Sequence, residues 1–284
     1  MQIIDTYFTI HKMGPVMNIY IMPDCHFGSP AFMEDQYERL AAIIEKDPLA
    51  YLIFQGDLID SNRPSTRELK RLAYLARKEE HEQEDTRNSF WIENQIIPKL
   101  KRIIKKGRCL GMLDGDHYML TEAGITTTQQ VCIRLGVPYL GDGQVLMRLH
   151  FGVGTSRQAT MYVIHCQHGI NGGGRPGSGV NKLEDMCNIW EGVDAFIRGH
   201  SHKGFIFPTS KYFTPQRGQE IKQHDIWLVN TPSFRTGMVL GKTDYAESKC
   251  YGATAHKFPV LRLSARCRVN SKRSVKIEVT GELL

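Results

Sequence analysis

The most constraining feature of this chain is a repeated junction, in which a short apolar run stops at a cluster of glycine, aspartate and histidine. Val16 to Met22 leads into Asp24-Cys25-His26, and Ala50 to Phe54 into Gly56-Asp57-Leu58-Ile59-Asp60. Cys109 to Leu113 leads into Gly115-Asp116-His117, Met161 to Ile164 into His168-Gly169, and Val193 to Ile197 into Gly199-His200-Ser201-His202. Apolar runs this short match strands buried on both faces. In open α/β sheets ligands gather outside the carboxyl ends of strands, so repeated ends carrying the same side-chain types predict one shared site.

Between the first two runs, Phe32 to Lys46 reads as a helix with Leu40, Ile43 and Ile44 apolar. Strand, helix and strand then form a crossover unit, which implies a parallel pair. Residues 62–108 interrupt the rhythm. Thr66 to Glu80 carries Leu69, Leu72, Ala73 and Ala76 at helical spacing, and Ile96, Leu100, Ile103 and Ile104 form a second stripe in which Pro98 suits a helix start. We read this segment as a helical insertion near the site, with helices on the outer sheet face as the alternative. Gly172 to Gly179 reads as a loop. After residue 202, Gly204 to Phe207, Ile226 to Val229, Val260 to Leu263 and Val275 to Val279 read as antiparallel strands completing a second sheet of a single domain over 1–284.

Composition narrows the setting. A chain of 284 residues, 41% hydrophobic and 23% charged, has the make-up of a globular protein with a large core. No apolar run approaches the ~18–20 residues of a membrane span, so no membrane partner is expected. Met1 to Ile10 lacks the regions of a signal peptide. Seven cysteines without a Cys-x-x-Cys pair read as reduced, buried thiols, and a cytoplasmic location is expected. From Lys203 onward there are fourteen Lys or Arg against six Asp or Glu, while the rest of the chain is slightly acidic. A basic C-terminal third favours an anionic substrate, although an ordinary solvated surface accounts for it equally well.

Neutral imidazole and carboxylate both suit divalent transition metals. Asp-x-His places two side chains on alternate positions just past a strand, where a turn can direct both at one ion. Gly56 permits close backbone approach, and the two oxygens of Asp57 can bridge two metals. Gly199-His200-Ser201-His202 can supply one imidazole to each. Two ions ~3.5–4 Å apart activate water and neutralise phosphoryl charge. Aspartate-rich donors without cysteine pairs are not those of a closed structural zinc site. The Gly172–Gly179 run lacks the Gly-Lys-Ser/Thr ending of an NTPase phosphate loop, though Arg175 and Lys182 are candidates for phosphate contact.

Taken in order, the motifs from Asp24 to His202 resemble the calcineurin-like metallophosphoesterase superfamily, whose pattern is Asp-x-His, Gly-Asp-x-x-Asp, Gly-Asn-His, His and Gly-His-x-His. The resemblance implies a four-layer αββα sandwich of two mixed β-sheets flanked by helices, with a dinuclear metal site. Carried over by position, Asp24, His26, Asp57 and His202 would hold one ion, and Asp57, Asp116, His168 and His200 the other. His117 would contact phosphate and protonate the leaving oxygen, with Asp60 in support. In the fourth block His165 is the alternative to His168, which is preferred because His-Gly followed by further glycines looks like a recurring form in the superfamily. Asp116 stands where the family usually has Asn. Two divalent ions, three aspartates and a hydroxide sum to zero charge, so tighter metal retention and a less acidified water are expected.

The resemblance implies a hydrolase of phosphate esters, in which a hydroxide bridging two metal ions attacks phosphorus. Mn²⁺ is the first choice of metal, with Fe, Zn, Ni or Mg as alternatives. The basic C-terminal third leans the reading towards a phosphodiesterase, acting on nucleic acid or a nucleotide. A phosphomonoesterase or protein phosphatase is the runner-up. A non-catalytic scaffold of the same fold is less favoured, because such members lose ligands or the histidine that His117 matches.

Overall fold

The computed structural model describes residues 1–60, 89–121, 124–153, 159–169, 176–215, 220–237, 255–268 and 271–284. Two mixed sheets stack face to face with helices on both outer sides. One has six strands in the order β1 (Gln2–Ile10), β5 (Gln144–Val153), β6 (Ala159–Gln167), β7 (Ala195–Arg198), β9 (Lys222–Asn230) and β8 (Phe205–Phe213). The other has five, in the order β11 (Ser271–Leu283), β10 (Pro259–Arg268), β2 (Gly14–Met22), β3 (Ala50–Phe54) and β4 (Cys109–Met112).

Side-chain alternation explains the layering. Successive residues of a strand face opposite ways. Ile19, Ile21 and Ile53 therefore enter the inter-sheet core with Met147, Leu149, Ile164, Ile197 and Val229. Tyr20, Met22, Leu52 and Phe54 face helices α1 (Glu34–Lys46), α2 (Ile97–Ile103) and α3 (Thr127–Leu135). On the far side, Val163, Phe196 and Leu228 pack against Leu183, Met186 and Cys187 of α4 (Pro176–Ile189). The result is the expected αββα sandwich.

Helix α1 buries Tyr37, Leu40, Ala41 and Ile44, one stripe at 3.6-residue spacing, with Glu34 and Asp35 complementing its N-terminal dipole. Ile43 falls outside the stripe and is exposed. Pro98 lies at the start of α2, directly after the wider π-type turn Ile92–Ile96. A proline has no N–H to bond back, which accounts for a change of helical register at that point. Ile96, Leu100 and Ile103 are buried, as their spacing predicts. The remainder of the expected insertion, Thr66 to Glu80 included, lies outside the described residues.

Two expectations are corrected. The C-terminal strands do not complete one sheet. β8 and β9 extend the six-stranded sheet, with β9 parallel to β7, while β10 and β11 join the five-stranded sheet antiparallel to β2. Gly177-Ser178-Gly179 is helix rather than loop and forms the first turn of α4. Arg175 lies outside the described residues, and Lys182 sits on α4 beside Asp185. Five of the cysteines, Cys25, Cys109, Cys132, Cys166 and Cys187, are free and buried. No helix among the described residues is long and apolar enough to cross a membrane.

Parallel runs β2–β3–β4 and β6–β7–β9 order the loops that matter. Asp24, Asp57 and Asp116 follow the first set, and His168, His200 and the 231–236 segment follow the second. The two sets of carboxyl ends meet at one place.

Candidate metal centre

Asp24, His26, Asp57 and His202 bring one ligand atom each within 4.8 Å of one another, and Asp57, His168 and His200 form a second such group. Asp57 belongs to both. Asp24, His26, Asp57 and His168 are buried. His26 Nε2 lies 3.7 Å and His168 Nε2 3.3 Å from Asp57 Oδ2, while His202 Nε2 is 3.3 Å from Asp24 Oδ2.

The imidazoles are aimed from behind. His168 Nδ1 donates to the Gln55 carbonyl at 2.9 Å, which leaves Nε2 to face Asp57. His26 Nδ1 meets Asp60 Oδ1 at 3.2 Å, turning its Nε2 towards the same carboxylate. A carboxylate or carbonyl behind the far ring nitrogen is how metal-binding histidines are oriented. Asp116 stands outside both groups and touches the second through His200, whose Nδ1 is 3.1 Å from Asp116 Oδ2. That contact holds the Asp116 carboxyl below its usual range. His165 points elsewhere. It packs on Trp190 and Phe196, with Nε2 3.1 Å from Gln144, and burial pushes it down to about 4.

The backbone is bent to make this cluster. Among the described residues the non-glycine positions with left-handed φ are His26 (48°), Asp57 (44°), His200 (65°) and His202 (55°). Each such conformation costs on the order of 1–3 kcal/mol, and such strain collects at functional sites. Two glycines allow the close approach. A Cβ on Gly56 would collide with His168 and Asp114, and one on Gly115 would collide with Asp57. Asp114, buried beneath, is held by Thr126 at 3.0 Å and by Tyr139.

The donors fit divalent cations. Two buried carboxylates, Asp24 and Asp57, face one another's histidines, and Asp24 Oδ1 has no hydrogen-bond partner. His26 Nε2 and His202 Nε2 point at each other 3.4 Å apart, an arrangement that calls for a proton or a cation between them. Burial works to raise the Asp57 pKa, yet contact with His168 and the charges of His168, His26 and His117 hold it well below the usual carboxylate range. Burial pulls His168 down, but Asp24 and Asp57 overcome it and lift the imidazole to about 10. A proton on His168 thus does part of what a cation would do.

His117 sits at the rim. Its backbone N–H donates to Asp57 Oδ1 at 2.8 Å, its ring meets His26 edge to face at 4.8 Å, and Nδ1 is 3.5 Å from Asp60 Oδ1. The side chain is 28% exposed, so it can be reached from solvent. Burial lowers its pKa, with the charges of His26 and Arg235 adding to that and those of Asp57 and Asp60 opposing it. Arg235, Gln55 and Asp114 are site components outside the sequence-derived set. Cys25 is fully buried with its thiol pushed up by burial, consistent with a passive residue.

No family model and no curated protein matches this chain. Among solved structures it is similar to Chaetomium thermophilum Vps29, at 12% identity and a TM-score of 0.35, covering 94% of this chain and 95% of that one. A second structure, that protein complexed with the RaPID-derived cyclic peptide RT-D3, matches at 15% identity and a TM-score of 0.25, covering 65% and 85%. Likenesses of this size carry none of the functional reading, which rests on the side chains themselves.

Proposed function

We propose that this protein is a metal-dependent phosphoesterase with a preference for diesters, nucleic acid or nucleotides among them. The observation that carries the reading is Asp57, one buried carboxylate shared by two groups of His and Asp donors. In this reading Asp24, His26, Asp57 and His202 hold one divalent cation, and Asp57, His168, His200 and Asp116 the other. Such a pair lowers the pKa of water and offsets charge developing on a phosphoryl group. Mn²⁺ remains the first choice of metal. Six of the seven sequence-derived donors lie in the two groups that share Asp57, four of them at strained backbone positions, and this favours the reading over a scaffold, which has no use for the strain.

The chain's own residues do the rest. Asp60 and the Gln55 carbonyl keep His26 and His168 in the tautomers that face Asp57. His117, beside Asp57 and open to solvent, delivers a proton to the leaving oxygen. Burial depresses its pKa, so the proton is lost more readily than from a free imidazole, and turnover of substrates with poor leaving groups should fall as pH rises through the His117 titration. His117→Ala is expected to cost about a hundredfold in kcat on alkyl esters. Much less should be lost on p-nitrophenyl esters, whose leaving group needs no proton. Equal losses on both would remove His117 from this role. The diester preference draws on the basic C-terminal third, in which Arg262 and Arg266 pair across the ladder with Glu282 and Glu278.

Asp116→Asn tests the charge argument. Chelator competition should show metal affinity weakened about 10- to 100-fold, and the acid limb of the pH–rate profile should move to lower pH. An unchanged affinity and profile would discard the idea. The decisive test of the whole reading is Mn²⁺-loaded protein assayed on bis-p-nitrophenyl phosphate, p-nitrophenyl phosphate, and single- and double-stranded DNA and RNA. Activity on the monoester alone would overturn the diester preference. Absence of both metal binding and hydrolysis would overturn the reading.

A further inference from the structure

Arg235 lies outside every motif that defines the cluster, yet the fold builds it into the site. The segment that carries it leaves β9 and is laced to the loop after β2. Phe234 N–H and Ser233 Oγ donate to the Asp24 carbonyl at 3.0 and 3.1 Å, and Arg235 N–H donates to Ser233 Oγ at 3.0 Å. On the other side Met33 N–H donates to the Phe234 carbonyl at 2.7 Å, and Thr236 N–H to the Ala31 carbonyl at 2.9 Å. The backbone at Arg235 is therefore held on one flank by Asp24 and on the other by Ala31 and Met33, all in the segment after β2 that also carries His26. Arg235 Nη1 lies 3.6 Å from Asp60 Oδ1, the oxygen that His26 Nδ1 meets at 3.2 Å and His117 Nδ1 at 3.5 Å.

We propose that Arg235 is a substrate-binding residue that clamps the non-bridging phosphoryl oxygens on the His117 side of the cluster. The proposal rests on the phosphoesterase reading. The guanidinium is a planar fork of five donors that matches two phosphate oxygens at once. Its 3.6 Å separation from Asp60 is an ion-pair distance, longer than an N–H···O bond, so Asp60 fixes the charge in place without being the fork's bidentate partner. The side chain is 18% exposed, enough for a ligand at the site to reach it. A cation fixed beside His117 would hold the phosphoryl group while the leaving oxygen takes its proton. Preorganised positioning of this kind is what a phosphoryl transfer needs from the protein.

Balancing the charge of Asp60 asks only for a cation, and a lysine could supply that. A clamp needs the fork, which lysine lacks. The test uses the full-length Mn²⁺-loaded wild type, Arg235→Lys and Arg235→Gln. Bound metal is counted by elemental analysis. Affinity for inorganic phosphate is read from competitive inhibition of bis-p-nitrophenyl phosphate hydrolysis and from paramagnetic broadening of the phosphate ³¹P line. Metal content should be the same in all three, while phosphate affinity should fall about 10- to 100-fold in both variants. KM should rise with it. Phosphate affinity within twofold of wild type in Arg235→Lys would overturn the clamp and leave charge balance, as would unchanged affinity in both variants. If the wild type binds no metal and hydrolyses no ester, the phosphoesterase reading fails and the clamp with it. If the wild type does both and the variants match it, the clamp alone fails.

Discussion

Asp57→Asn is expected to reduce kcat on every phosphate ester by at least ~10⁴-fold and to leave the protein with no more than one tightly held Mn²⁺. Asp57 is shared by two of the three donor groups, the third being His26, Asp60 and His117, so its loss strikes two at once. The substitution keeps the shape of the side chain. Asn is among the few residues that tolerate the left-handed backbone found at this position, φ 44°. Its carbonyl oxygen can still accept the His117 backbone N–H that now bonds Asp57 Oδ1 at 2.8 Å. Fold and loop should therefore survive, and what disappears is one negative charge and one bridging oxygen. Elemental analysis, kcat on bis-p-nitrophenyl phosphate and a thermal melt of the metal-free form make the measurement. A variant that folds, retains its metal content and turns over at the wild-type rate would end the reading of Asp57 as the shared ligand on which the reaction depends.

Much of this site is legible in the sequence because its parts sit at strand ends. An apolar run that stops at Gly, Asp or His marks both the end of a buried strand and the direction in which the next side chains point. That one signal places Asp24, His26, Asp57, His168, His200 and His202 in a single cluster. His168 and His165 are separated by strand alternation, which periodicity alone cannot phase. Cys166 and Ile164 turn to the inter-sheet core, His165 turns to Trp190 and Phe196, and His168 passes the strand end. Arg235 follows a sixth junction of the same kind, Ile226 to Val229 ending at Asn230, but its turn bears no ligand-type residue to draw notice. Strands β1 and β5 escape because their faces differ. β1 lies at a sheet edge with exposed and half-buried residues alternating, so it forms no apolar run. Helix α3 carries its own signals, Thr126 capping Gln129 N–H and Gly136 ending it at φ 64°, yet its short apolar stripe is weak.

Metal affinity is expected to rise about tenfold for each pH unit between 6 and 8, because the first step of loading is to remove the proton that His168 carries. Burial alone would keep this imidazole neutral, but Asp24 and Asp57 lift its pKa to about 10 in the metal-free chain. In the proposed reading a cation would take the place of that proton against the same carboxylates, and one proton would leave for each cation seated there. Titrations of Mn²⁺ in two buffers of different ionisation enthalpy should therefore report about one proton released at pH 7. Stability runs the opposite way. A histidine whose pKa is raised on folding stabilises the protein fully below its unfolded value near 6.5 and loses that contribution as pH rises through about 10. Asp57, depressed by the same partners, contributes above its unfolded value and loses that as pH falls through its folded one. The chelated protein should thus melt at steadily lower temperature from pH 7 towards 10, while the loaded protein resists the decline because the cation replaces the proton. His168→Gln should flatten the pH dependence of metal affinity, and His165→Gln should leave it intact. An affinity independent of pH in the wild type, or a slope that survives His168→Gln, would show that the proton resides elsewhere.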